Sequence, residues 1–107
     1  MTHRAKKTVI ITEKLILEGV VKIVERCGGT GYTVVAAGGK GSRNVRSQDR
    51  PRVVDGFANV QIEVICASAE IATHIAEEVA ATYFENYSGI TYLEDVEILR
   101  PGKFEKH

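Results

Sequence analysis

Two stretches of this chain each read strand, helix, strand, and between them lies a 19-residue segment, Gly38 to Gly56, in which no hydrophobic period can be traced. The first stretch begins with the β-branched run Thr8 to Ile11 and reaches Thr12, a good helix-cap residue. Ile16, Val20, Ile23, Val24 and Cys27 then recur at helical spacing. Gly28-Gly29 stops that helix, because glycine accepts the left-handed conformation a helix C-terminus asks for, and Tyr32 to Ala37 supplies a second strand. In the second stretch Asn59, Gln61 and Glu63 alternate with Val60, Ile62 and Val64, the period of a strand with one wet and one buried face. Ser68 caps a helix whose apolar side is traced by Ile71, Ala72, Ile75, Ala76, Val79, Ala80 and Phe84. The turn Asn86 to Gly89 ends it, and a last strand runs from Ile90 to about Leu99. Pro101-Gly102 closes that strand, and the charged tail at 101–107 is expected to fray.

The order β-α-β, long loop, β-α-β predicts an α+β, ferredoxin-like βαββαβ fold: a four-stranded antiparallel sheet with two helices on one face. At 107 residues, with 44% hydrophobic and 26% charged side chains, the chain is read as a single domain, 1–107, around one core. The first two strands are apolar at both parities, Val9, Ile10 and Ile11 in one and Val34 to Ala37 in the other. Such strands suit a sheet covered on both sides. Two helices cover one side, so a second copy of the chain is expected on the other.

Charge and cysteine content exclude several functions. Fourteen basic residues balance fourteen acidic ones, so no global field draws DNA or an anionic membrane. Cys27 and Cys66 are too few for a disulfide scaffold or a four-thiolate zinc site, which points to a reducing cytoplasm. The basic amino terminus precedes only four apolar or β-branched residues, short of a secretion signal, and no segment nears the roughly 20 apolar residues of a membrane span. His3, His74 and His107 assemble no ligand set, and Glu13, Glu63 and Glu70 stand as single carboxylates without a spaced partner. No metal site and no catalytic residue is assigned.

The long segment concentrates what charge asymmetry the chain has. Lys40, Arg43, Arg46, Arg50 and Arg52 face only Asp49 and Asp55. Ordering 19 residues costs on the order of 20–40 kcal/mol with few apolar side chains to offset it, so the segment is expected to move until something binds it. Gly38-Gly39-Lys40-Gly41-Ser42-Arg43 begins where a strand ends and suits a phosphate: glycines let backbone N–H groups approach, while Ser42 and the basic side chains supply charge-assisted bonds. It has neither the Walker A order nor a GxGxxG fingerprint, and a flexible connector fits the composition equally well. The turn Asn86-Tyr87-Ser88-Gly89 falls at the same end of the sheet in this topology; it completes a pocket or simply caps a helix. The βαββαβ order also describes the RNA-recognition module, but that module stacks bases on rings from its two central strands, and none stands in Thr8 to Ile11 or Asn59 to Glu63. Nucleic acid is therefore not expected as a partner.

Thr12-Glu13-Lys14, Gly31 to Val34, Tyr83-Phe84, Tyr87 to Ile90 and above all GGKGSRNVRS at 38–47 resemble the cyanobacterial PII-like, carbon-sensing SbtB family over nearly the whole chain. The resemblance implies a homotrimer that holds adenine nucleotides (AMP, cAMP, ADP and ATP) in clefts between subunits, with no other cofactor. It implies a non-catalytic signalling role, in which the loop at 38–56, the family's T-loop, docks on a sodium-dependent bicarbonate transporter of the SbtA type during inorganic-carbon acclimation. The protein is then cytoplasmic, and peripheral at the inner membrane when docked. By position, Gly39, Lys40, Gly41 and Ser42 embrace ribose and phosphate, Arg43 and Arg46 bind phosphate oxygens, and Asn86, Ser88 and Gly89 form the opposing loop. Ile11 and Thr33 approach the base. Many relatives end in a CGPxGC hairpin tied to redox control and slow ATP or ADP hydrolysis; the tail from Arg100 to His107 has no cysteine, so neither property is carried over. PII proteins proper carry a lysine where Ile90 stands, so 2-oxoglutarate sensing is not carried over either.

Overall fold

The computed structural model describes residues 2–38 and 58–99. Strand β1 (His3–Glu13) leads through a single 3-10 turn, Lys14–Ile16, into helix α1 (Leu17–Arg26), and β2 (Thr33–Ala37) follows. Beyond residues 39–57 come β3 (Asn59–Cys66), helix α2 (Ala69–Tyr83) and β4 (Gly89–Ile98). The strands form one antiparallel sheet in the order β2-β3-β1-β4, the expected ferredoxin-like arrangement. From Gly39 onward the long loop lies outside the described residues, as does the tail at 101–107.

The core follows from the two periods. Ile10 of β1 lies opposite Ile62 of β3, which in turn faces Val34 of β2. On this side of the sheet Ile10, Val60, Ile62, Val64 and Cys66 pack with Val20, Ile23 and Val24 of α1 and Ala72, Ile75 and Val79 of α2. Each fully buried Val or Ile side chain among them contributes roughly 1.5–3 kcal/mol. One polar group lies among them without penalty: the buried Thr8 hydroxyl donates to the Ala72 carbonyl at 2.9 Å, tying β1 to α2. The helices approach closely because Gly19 has no side chain; a Cβ there would overlap the Tyr83 hydroxyl.

Helix ends largely follow the expected signals. Ser68 caps α2, its hydroxyl accepting the Ile71 N–H at 3.2 Å, and Gly28 takes φ +105° just past α1. Thr12 departs from its expected role as a cap. It is the penultimate residue of β1, paired with Val60 and Gly89, and the 3-10 turn intervenes before α1. β1 also starts earlier than the apolar run, because β4 pairs with it from His3 onward, so the basic amino-terminal residues are strand. No helix among the described residues is long and apolar enough to cross a membrane.

Among the described residues, no helix lies on the opposite side of the sheet. Side chains alternate along a strand, so this side receives Lys7, Val9 and Ile11 of β1, Thr33 and Val35 of β2, Gln61 and Glu63 of β3, and Ile90, Tyr92 and Glu94 of β4. Val35 and Ile90 are about half exposed, at 50% and 57%. Within this apolar field one charged cluster stands out: Lys7 Nζ lies 3.2 Å from Glu94 and 3.7 Å from Glu63, and Gln61 Nε2 donates to the Glu63 carboxylate at 2.9 Å. The hydrogen bond to Glu94, with the charge of Glu63, raises the Lys7 ammonium above the ordinary lysine value of 10.5, against a smaller opposing effect of burial. A raised folded-state value means that the stabilisation is complete below about pH 10.5 and is lost as pH rises through the higher folded value. The groups are partly exposed and screened, so its size is under about 1 kcal/mol. In paired urea titrations, the stability difference between wild type and Lys7→Met is therefore expected to stay level from neutral pH to about pH 10 and to move in favour of the variant above about pH 10.5.

Candidate functional site

The antiparallel register gathers four strand ends at one edge of the sheet. β1 ends there at Glu13, β2 at Ala37, while β3 begins at Asn59 and β4 at Gly89. Gly38 and Ala58, the residues that flank the long segment, therefore stand side by side, and the Ala58 carbonyl accepts the Lys14 N–H at 2.7 Å. Whatever conformation residues 39–57 adopt, both their ends are anchored at this place.

The turn after α2 is built onto the same edge. Helix α2 closes with the Asn86 and Tyr87 N–H groups donating to the Tyr83 carbonyl at 3.1 and 2.9 Å, and the rings of Tyr83 and Tyr87 meet edge to face at 6.0 Å. The next residue is held from both sides of its backbone. Glu13 Oε2 accepts the Ser88 N–H at 2.6 Å, and the Thr12 hydroxyl donates to the Ser88 carbonyl at 2.7 Å. Gly89 then pairs with Thr12. It has to be glycine here, since a Cβ would overlap the Phe84 ring and lie 2.8 Å from Thr12 Oγ1. The turn is more than a helix cap: it is pinned to the end of β1 by two side chains that the sequence places over seventy residues away.

Of the residues expected at a nucleotide site, Ser88 and Gly89 adjoin Thr12 and Glu13, and Asn86 lies exposed beside them. Ile11 lies directly opposite Ile90, on the helix-free side. Thr33 is on that side too, but on the edge strand β2, two strands from β1, about 10 Å across the sheet. Gly39, Lys40, Gly41, Ser42, Arg43 and Arg46 lie outside the described residues. Thr12 and Glu13 as anchors of the turn escaped sequence reasoning. Their signal is the β1 to β4 register, which no local pattern contains.

A groove of about 390 Å³ lies elsewhere, between α1 and β2, lined by Leu17, Val21, Tyr32 and Val34 together with the charged Glu18, Lys22 and Glu25. Burial pushes both thiols up, Cys27 and Cys66 alike, so neither is favoured as a thiolate.

A family model described as nitrogen regulatory protein P-II matches residues 5–103. Among solved structures, a protein of Thermus thermophilus described as PII-like signaling is 29% identical, with 96% of this chain and 97% of that one covered and a TM-score of 0.76. CPII from Thiomonas intermedia bound to ADP and bicarbonate is 28% identical, covers 97% of each chain and reaches 0.77. The same protein bound to ADP, AMP and acetate gives 28%, the same coverage and 0.75. The Bacillus subtilis GlnK-ATP complex, at 17% identity, 90% and 84% coverage and a TM-score of 0.57, shares the fold.

The pinned turn has a direct test. Thr12→Val keeps the β-branched shape but leaves the Ser88 carbonyl without its donor, and is expected to cost about 1–3 kcal/mol in urea unfolding. Hydrogen exchange in the 86–89 turn should quicken in that variant, and Thr12→Ser should restore both readings.

Proposed function

The chain belongs to the nitrogen regulatory protein P-II family, and from that premise we propose that it is a non-catalytic signalling protein of the SbtB type. It binds adenine nucleotides, AMP, cAMP, ADP and ATP, in the clefts of a homotrimer. Its loop at 38–56 then carries the nucleotide state to a sodium-dependent bicarbonate transporter of the SbtA type, docking the cytoplasmic protein on the inner membrane.

The observation that carries this reading is the shared sheet edge, where the anchors of the basic segment and the pinned turn of Ser88 and Gly89 flank the end of β1. The glycines and arginines of the basic segment are the residue types a phosphate asks for. CPII, alike in fold over 97% of both chains, is bound to ADP and bicarbonate in one structure and to ADP and AMP in another, which supports both the ligand class and the link to inorganic carbon. The trimer is supported by the sheet's helix-free side, where Val35, Ile90 and Tyr92 remain exposed in a single chain and copies of the chain give them cover. Separation of Thr33 from Ser88 and Gly89 across the sheet also fits a cleft completed by two subunits. Within the proposed site, Arg43 and Arg46 grip phosphate oxygens, Gly39 to Ser42 wrap ribose and phosphate, and Ile11 and Thr33 border the base.

Signalling then follows from linkage. A nucleotide changes the affinity for the transporter only by as much as it binds one loop state better than the other, and transporter binding changes nucleotide affinity by the same factor. A charge-assisted arginine to phosphate bond is worth roughly 1.5–3 kcal/mol. Calorimetry is expected to show AMP and cAMP binding that weakens about tenfold or more in Arg43→Ala and in Arg46→Ala. Unchanged affinity in both variants overturns the site. Incubation with ATP is expected to release no phosphate above background.

A further inference from the structure

Strand β2 is an outer strand that lacks the usual protection. It pairs with β3 through one continuous register from Thr33 to Ala37, and with no other strand among the described residues. Every second backbone N–H of an antiparallel outer strand points away from its neighbour. Natural outer strands are blunted by charge, proline or a bulge; the run from Thr33 to Ala37 has no charged residue and no proline, and its register has no bulge. Both of its sides are open as well. Val35 is exposed on the helix-free side, and on the other side Val34 and Tyr32 line the groove beside α1.

The other outer strand, β4, offers a match at the same level of the sheet. Ala37 pairs with Asn59 and Asn59 with Glu13, while Gly89 pairs with Thr12, so β2 ends level with the start of β4. From Gly89 to Leu93 β4 is uncharged, a run as long as β2. Its acids begin only beyond, where Lys7 and Lys6 of β1 engage Glu94 and Asp95. The sides correspond too. Ile90 and Tyr92 stand on the helix-free side with Val35, whereas Leu93, opposite Thr8, stands on the helix side with Val34, and all three β4 side chains are exposed.

We infer that β2 of one copy pairs antiparallel with β4 of the next, so that three sheets join through their outer strands into a closed ring with the helix-free sides inward. The inference rests on the homotrimer reading given above and supplies its contact. β2 runs toward the Glu13 end of the sheet and β4 away from it. Rotation about an axis along the strands keeps both directions, so the joined strands are antiparallel. The two joined surfaces differ, and a head-to-tail contact of this kind closes into a ring. Pairing β2 with β2 of a second copy instead leaves β4 open and lays the helix-free sides next to one another on one open sheet. In the ring, Gly38 at the end of β2 comes beside the 86–89 turn of the next copy.

The full chain is first sized by sedimentation, and amide exchange is then read residue by residue. The trimer is expected to protect every amide from Val34 to Ala37, including the alternate ones that β3 does not bond. In a second experiment Ala36→Cys, on the helix side of β2, is combined in turn with Thr91→Cys, Leu93→Cys and Asp95→Cys, which share that side of β4. Mild oxidation is expected to link chains into a covalent trimer in at least one pair, while each single variant stays unlinked. A covalent dimer from Ala36→Cys alone overturns the inference in favour of β2 with β2. Full protection of β2 with no link in any pair overturns it in favour of the chain's own long segment. A trimer whose β2 amides alternate between slow and fast exchange overturns it too, and the homotrimer reading stands. A monomer by sedimentation removes that reading and the inference with it.

Discussion

Strand β1 is hydrogen-bonded on both sides along most of its length, to β3 from Lys6 to Glu13 and to β4 from His3 to Thr12, and the rest of the molecule is placed by that double register. A slip of one residue would exchange its faces, sending Val9 and Lys7 toward the helices and Ile10 and Thr8 away from them. Both sets are specified. Ile10 fills the core against α1 and α2, Thr8 satisfies the Ala72 carbonyl, and Lys7 meets two carboxylates on the far side. Because the register is held along the strand, its last two residues arrive at a defined position, and the turn after α2 is tied to them.

That tie links parts of the molecule that are otherwise independent. The Ser88 backbone is held by Thr12 and Glu13, while the next residue, Lys14, holds Ala58 at the far end of the long segment. Three consecutive residues, the last two of β1 and the first of the 3-10 turn, thus contact both flanks of the proposed cleft within the chain. A ligand that changes the balance of hydrogen bonds at Ser88 acts one residue away from the loop's anchor. Coupling by a few shared bonds is the kind of connection through which two sites bias one equilibrium.

On the helix-free side the same register sets a charged cluster in an apolar surface. Lys7, Glu63 and Glu94 would be costly to cover by a neighbour that left any of them unpaired, so the cluster restricts how copies of the chain can pack there more than it strengthens the packing. Val35, Ile90 and Tyr92 supply the apolar area around it. Specificity of register and hydrophobic gain are thereby carried by different residues of one surface.

The fold was legible because its evidence is periodic and local. Val60, Ile62 and Val64 alternate, Ile71, Ile75 and Val79 recur at helical spacing, and Ser68 and Gly28 mark helix ends by chemistry of their own backbone neighbourhood. Order of elements then leaves few topologies, and the antiparallel sheet followed. The glycine and arginine composition of 38–47 and the turn at 86–89 were likewise visible as residue types. What the chain alone determined is therefore which residues are apolar, where they repeat, and which segments concentrate glycine and basic residues. Tertiary structure alone decided that Thr12 leaves its role as a cap and that Glu13, one carboxylate among many in the sequence, meets the Ser88 N–H. Those partners are more than seventy residues apart, and only the hydrogen-bonded register of β1 with β4 brings them within 3 Å.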